Sequence, residues 1–289
     1  VGGACETCPM RVAVVGHVEW IEFARVPEVP GPGAIVHASE VWEEPGGGGA
    51  VAAVQLAKLG DQALFLTALG DDEVGHRVAA TLPPLVPDVG LRLEVAWRPV
   101  AQRRGFVHID ARGERTITVI GDRLGPHGDD DLGWDDLTGC DALYFTAGDA
   151  AAAQRARTAR VMVATARALP SLAGSGVALD ALVSSATDAG EAYELGDLDP
   201  DPALVVRTAG ADGGTWETAN GERGDWAATP PPGPVQDAYG CGDSFAAGLT
   251  YALGTGMAPA DAVQLAARCG AACLTGRGPY SAQLTTPAL

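Results

Sequence analysis

Short apolar runs alternate with segments of helical period along most of the chain. Strand-like runs at Val12–Val15, Ala63–Leu69, Leu143–Thr146, Val177–Leu179 and Leu204–Arg207 are separated by helical patterns at Ala50–Leu59, Val74–Leu82 and Gln154–Leu169. Two further helical patterns, Ser244–Leu253 and Pro259–Thr275, close the chain. Strands separated by helices of this length predict an α/β fold with a mostly parallel, helix-covered sheet. There is no internal repeat, and residues 10–289 read as a single domain.

Two segments break this rhythm. Val18–Glu44 and Leu91–Ile120 carry short two-residue alternations and turn residues, with no helical period between them. Such strands pair locally, which predicts a small second sheet projecting from the main one. Alternation in the second segment puts Arg104, Phe106, His108 and Asp110 on one face and Arg103, Gly105, Val107 and Ile109 on the other. A lid over a site is one use for such a sheet, and a surface hairpin without a role is the other.

Composition removes several classes. A net charge of −18 with no basic cluster argues against nucleic acid, whose binding needs lysines and arginines to neutralise phosphates. No apolar run approaches the roughly 20 residues of a membrane span. The start, Val1–Met10, lacks a basic segment followed by an apolar stretch, so a cytoplasmic protein is expected, with Met10 a candidate initiator. Cys5 and Cys8 form a CxxC pair with neither a second pair nor a nearby histidine to complete a zinc site. Cys269 and Cys273 share a helix face and read as small core residues. The only lysine is Lys58, inside a helical pattern. A Walker loop and protein-kinase chemistry both require a lysine in a motif that is missing here.

The stretch Asp237-Ala-Tyr-Gly240-Cys-Gly242-Asp243-Ser-Phe245 follows a proline-rich loop and opens a helix at about Ser244. Glycines flanking one small residue let backbone N–H groups converge. At a helix N-terminus they bind anions through unpaired donors and the helix dipole. Asp243 is then a carboxylate beside a phosphate site, where it handles a proton or a metal; taken alone it would equally serve as a helix cap.

Asp237, Gly240, Gly242, Asp243 and Phe245 resemble the D-T-x-G-A-G-D-x-F signature of the ribokinase/PfkB carbohydrate kinase family. Three further matches stand in the family's order. Pro45-Gly46-Gly47-Gly48-Gly49-Ala50, leading into a helix, is similar to the family's N-terminal glycine motif. Gly70, Asp72 and Gly75 resemble its G-x-D-x-x-G element, and Thr208, Gly210 and Gly213 its T-x-G-x-x-G nucleotide loop. Asp188-Ala-Gly-Glu191 occupies the place of N-x-x-E. The resemblance covers the chain from about Arg11 onward and implies a ribokinase-like three-layer sandwich with a small β-sheet lid. It further implies transfer of the γ-phosphoryl of ATP to a hydroxyl of a sugar or sugar-like molecule. Asp243 would be the general base, with Gly240, Cys241 and Gly242 around the transferred group. Thr208, Gly210, Gly213 and Glu191 would hold the nucleotide. Glu191 and Asp188 would serve Mg²⁺ through water, and Asp237 a K⁺ ion. An ordinary aspartate has a pKa of about 3.9, so in a loose transfer its proton would be taken up late.

At the substrate end the pattern changes. The family's G-S-x-N-x-D reads Gly16-His17-Val18-Glu19-Trp20-Ile21, and the asparagine expected after the glycine motif is Val51. Two hydroxyl partners are lost, which speaks against ribose itself. His17, Glu19, Gly47, Gly48 and Arg104 are the expected substrate contacts. Arg103 and Arg104 would suit an anionic substrate, against the commoner case of exposed lid arginines. Trp20, Trp42 and Phe106 would either stack on a sugar or base or simply pack. Cys241, where the family has alanine, predicts an altered anion pocket or thiol sensitivity. The expected partner is a sugar, sugar phosphate or nucleoside, and the expected assembly a homodimer. The competing reading is a non-catalytic sensor of sugar or nucleotide.

Overall fold

The computed structural model describes residues 10–88 and 90–285; Cys5 and Cys8 lie outside them. In chain order the elements begin β1 (Arg11–His17), β2 (Glu19–Arg25), β3 (Glu40–Gly46), α1 (Gly48–Leu59), β4 (Gln62–Gly70), α2 (Glu73–Thr81) and β5 (Leu91–Arg98). They continue β6 (Arg104–Ile109), β7 (Arg115–Ile120), β8 (Ala142–Phe145), α3 (Ala150–Ala156), β9 (Val161–Thr165) and α4 (Leu169–Leu172). The last are β10 (Ala181–Ser185), β11 (Leu204–Thr208), β12 (Gly214–Thr218), β13 (Arg223–Trp226), α5 (Cys241–Gly254) and α6 (Pro259–Cys273).

Nine strands form one sheet in the order β13-β12-β11-β10-β9-β8-β1-β4-β5. Pairing is parallel from β5 through β11, and only β12 runs against the rest, pairing antiparallel with both β11 and β13. One face packs on α1, α5 and α6; the other meets α3 and the turns around Trp134 and Leu137. The central strands are apolar on both faces, as burial under two helical layers requires. Helix α1 is buried almost all round because it packs on β1 and β4 and lies alongside α5 on the same face. Among the described residues, no helix is long and apolar enough to cross a membrane.

The second sheet has the order β3-β2-β6-β7. It continues directly from β1 into β2, so the end of the central strand feeds both sheets. Val107 and Ile109 bury one of its faces against Phe23 and Trp42, while β7 is an exposed edge.

Three expectations need correction. Leu91–Arg98 belongs to the main sheet, paired along its length with β4, so the second lid segment begins only at Arg104. The helix expected over 154–169 is interrupted by β9: Val-Met-Val-Ala-Thr is buried on both faces, and a short apolar run of this kind has no period to separate strand from helix. In the neighbouring run Val177–Leu179, Val177 and Leu179 are buried, but the run leads into β10 rather than forming it.

Candidate active site

Helix α5 begins at Cys241, not Ser244, so Asp243 sits within its first turn. Gly240, just before it, has φ 80°, a left-handed conformation that favours glycine, and a Cβ there would lie 2.7 Å from Pro279 Cβ. Gly242 is different. No atom beyond its chain neighbours lies within 4 Å of where its Cβ would be, so the fold itself does not demand glycine at 242. No side chain caps the helix, which leaves its first-turn N–H groups without a side-chain acceptor.

The signature loop is clipped from below. Asp237, fully buried, accepts from the N–H groups of Tyr239 (3.0 Å) and Gly278 (2.7 Å). Burial raises its pKa against the pull of those two donors. The Gly47 N–H donates to Tyr239 Oη at 2.9 Å, tying the N-terminal glycine motif to the loop. The lid is tied to it as well. The Ala238 N–H donates to the Gly113 carbonyl (3.0 Å), and Arg115 Nη1 donates to the Ala238 carbonyl (3.2 Å).

From the other half of the chain, His17 at the end of β1 and Gly48 at the start of α1 meet Asp243. A Cβ on Gly48 would lie 2.7 Å from Asp243 Oδ1 and 3.6 Å from His17 Cε1, and one on Gly47 would lie 3.2 Å from both His17 and Glu19. Burial, reinforced by the nearby Glu191 and opposed by Arg115 and Arg167, pushes Asp243 up to about 7. The carboxylate expected to be ordinary is therefore poised near neutrality. His17 is held well below its usual range, first by burial and then by Arg123, Arg103 and Arg167, so the imidazole is neutral at pH 7. Its Nδ1 lies 3.4 Å from Thr146 Oγ1.

Glu19 accepts from Arg103 Nε at 2.6 Å, and Arg103 also reaches the Gly121 carbonyl. Arg104 does not join this group. Its partner across the lid ladder is Trp20, and alternation turns it to the face opposite Glu19 and Arg103. Trp20 and Trp42 are packing residues, each under a guanidinium, and Phe106 meets His108 edge-on. Val51 packs against Gly240.

At the expected nucleotide loop, Thr208 ends β11, and Gly210 and Gly213, both at positive φ, bracket a tight turn into β12. Asp188 caps the short 3₁₀ turn that carries Glu191. Arg167 donates to Glu191 Oε1 at 2.7 Å and also pairs with Asp188. Asp72 is structural: it accepts from the N–H groups of Gly75 and Gln102, which anchors the chain just before Arg103.

A cleft lined by Arg11, Gln62, Arg92, Asp136 and Cys140 opens at the opposite, N-terminal end of the strands, whereas ligands of open α/β sheets bind at the carboxyl ends. Among the described residues, His127, Asp129 and Asp130 form the one cluster with metal-like spacing, and Asp130 is already held by Arg98 at 2.6 Å. Lys58 donates to the Tyr280 carbonyl, away from the site.

With this geometry in view, the chain matches the model of the pfkB family carbohydrate kinase over residues 10–84 and 179–286. The chain belongs to the pfkB carbohydrate kinase family. No curated protein matches it. Solved structures share the pfkB fold. A putative ribokinase from Agrobacterium tumefaciens is 23% identical with a TM-score of 0.79, over 97% of this chain and 96% of that one. Arabidopsis thaliana ribokinase complexed with ribose and ATP is 15% identical with a TM-score of 0.70, over 98% and 97%. The nucleoside kinase of Methanocaldococcus jannaschii is 16% identical with a TM-score of 0.70, over 96% of each chain.

Sequence reasoning missed Arg123, Arg167, Thr146 and Tyr239. Arg167 follows β9, the strand hidden inside an expected helix, and recognising that strand would have placed it at a carboxyl end. Arg123 lies in a Gly- and Pro-containing stretch without period and gave no signal. The Cys241 thiol is pushed upward by its hydrogen bond with Cys273 and by burial, which disfavours the reactive thiolate.

Proposed function

We propose that this pfkB-family kinase transfers the γ-phosphoryl of ATP to a hydroxyl of a sugar or sugar-like molecule, with Asp243 as general base. The observation that carries the reading is the placement of Asp243. It stands in the first turn of an uncapped helix, raised to about 7, where His17 and Gly48 arrive from the other half of the chain. The open amides at Cys241–Asp243 suit the charge that develops on the transferring phosphoryl. A carboxylate with a pKa near working pH is suited to take the hydroxyl proton as the oxygen attacks.

The turn at Thr208–Gly213 suits the nucleotide, since its glycines permit close backbone approach. Asp188 and Glu191 offer hard carboxylate oxygens that fit a hydrated Mg²⁺, and Arg167 keeps both oriented. When bound, the ion would neutralise phosphate oxygens. A monovalent cation at Asp237 would fit one observation: burial and the Asp237 charge push Glu44 up to about 7, against the Trp42 hydrogen bond and Arg277, and a cation would relieve that repulsion.

The test is ATP consumption across pentoses, hexoses, their acids and phosphates, and nucleosides. With the acceptor so found, Asp243→Asn is expected to lower kcat by about 10²–10⁴ while binding ATP nearly normally. Comparable turnover by the variant at saturating substrates would remove Asp243 as base, and consumption of no acceptor would favour a sensor.

A further inference from the structure

Three guanidinium groups converge at the carboxyl ends of the strands, from three different loops. Arg103 precedes β6, Arg123 follows β7, and Arg167 follows β9. Contacts link them: Arg103 Nη1 donates to the Gly121 carbonyl at 3.3 Å, and Arg123 Nη1 reaches the Arg167 carbonyl at 3.4 Å. Two of the three charges are balanced. Arg103 pairs with Glu19 at 2.6 Å, and Arg167 pairs with Glu191 and Asp188. Arg123 has no carboxylate within salt-bridge distance among the described residues.

The backbone that carries Arg123 is fixed. Arg98, at the end of β5, holds Asp130 through two hydrogen bonds of 2.6 and 2.7 Å and also donates to the Gly125 carbonyl. The Asp149 N–H donates to the Pro126 carbonyl, closing the loop over the end of β8. The side chain is exposed to solvent beside other cations, so an arriving anion can reach a guanidinium that no carboxylate balances. Partial loss of solvent around it, and then Arg103, lower its pKa.

Position separates the two anions that could arrive. Arg103 holds the carbonyl of Gly121, two residues before Arg123, and pairs with Glu19, which sets the Arg123 loop beside Glu19 on the lid side. In keeping with that geometry, Arg123 is the charge that acts most strongly on His17, and its own charged neighbours are Arg103, Glu19, Arg167 and last Asp243. Arg123 thus stands nearer the acceptor end than the helix end that carries Asp243.

We propose that Arg123 recognises an anionic group, a carboxylate or a phosphate, on the acceptor, so that the substrate is a sugar acid or a sugar phosphate rather than a neutral sugar. This rests on the kinase reading above and narrows it. Neutral His17 and the Arg103-paired Glu19 are left to bind hydroxyls. A guanidinium suits carboxylate or phosphate through paired N–H donors.

The test uses the full chain and matched acceptors: ribose and ribose 5-phosphate, glucose, gluconate and glucose 6-phosphate. ATP consumption is measured for each, together with the melting-temperature shift each ligand causes at fixed ADP. Charged members are expected to exceed their neutral parents by about 10²-fold in kcat/KM, and the acid and phosphate arms tell the two anions apart. Arg123→Ala should collapse that ratio, mainly through KM, and Arg123→Lys should restore part of it. Equal use of neutral and charged members overturns the proposal. So does an Arg123→Ala loss of equal factor for both, carried by kcat, which would assign the guanidinium to the transferring phosphoryl. If nothing is phosphorylated but a charged sugar gives an Arg123-dependent melting shift, the kinase reading fails and the anion site stands. Absence of both overturns the anion site.

Discussion

The proposed phosphate end and the proposed substrate end of this site are built from different kinds of chain. The phosphate end, from the Thr208–Gly213 turn through Asp237–Asp243, lies wholly inside the stretch that matches the family, residues 179–286. The substrate end draws on His17 and Glu19, which depart from the family's pattern, and on Arg103, Arg123 and Thr146, which lie in the unmatched residues 85–178. The contrast has a physical basis. Phosphoryl transfer asks the same of every family member: convergent amides, a base and room for three oxygens. The acceptor asks for whatever matches its own polar groups, and lid loops on a rigid sheet can supply that without disturbing the transfer machinery.

Substitutions at each end sharpen the contrast. The largest effect in this group is expected from Gly48→Ala. The added Cβ would stand 2.7 Å from Asp243 Oδ1, and the carboxylate can rotate away at little structural cost. Displacing the base in this way should lower kcat about 10- to 10²-fold with the melting temperature nearly unchanged; loss of stability in proportion to activity would mean that Gly48 serves packing instead. Glu191→Gln comes next. It should raise the Mg²⁺ needed for half-maximal activity by about 3- to 10-fold, because a charged oxygen is lost from the set suited to the hydrated ion. An unchanged titration with a lower melting temperature would leave Glu191 only its pairing with Arg167.

The smallest effect separates two neighbours on the lid. Arg103→Ala frees Glu19 beside His17 and should raise the acceptor KM by about 10-fold, whereas Arg104→Ala, on the other face beside Trp20, should change it by less than about 2-fold. Reversal of that order would mean that the lid register places the wrong face over the site.

The same division decided how much was legible beforehand. The phosphate end could be read because its residues are contiguous: Gly240, Gly242 and Asp243 carry their geometry in their spacing. The α/β architecture was readable from alternation, down to the lid as a second sheet. What failed were features that depend on contacts distant in sequence. β9 was absorbed into a helix because a strand buried on both faces shows no period. Strand alternation put Arg103 and Arg104 on opposite faces correctly, but which face meets the site depends on pairing with β2. Arg123 reaches the site only because Arg98, 25 residues earlier in the chain, fixes its loop through Asp130 and Gly125. The poise of Asp243 near 7 likewise arises from burial and from Glu191, neither of which its local sequence reveals.

The central claim is that Asp243 is the base, and the pH dependence of kcat/KM tests it most directly. Asp243 must be ionised to accept the proton, so activity belongs to the side of the titration above its pKa and is lost as pH falls through it. With the group raised to about 7 in the free protein, kcat/KM should climb about tenfold per pH unit below that point and level off above it. Asp243→Asn should abolish this limb along with most of the rate. A profile that stays flat between about pH 5 and 8 in the wild-type protein, or the same limb surviving in Asp243→Asn, would contradict the account.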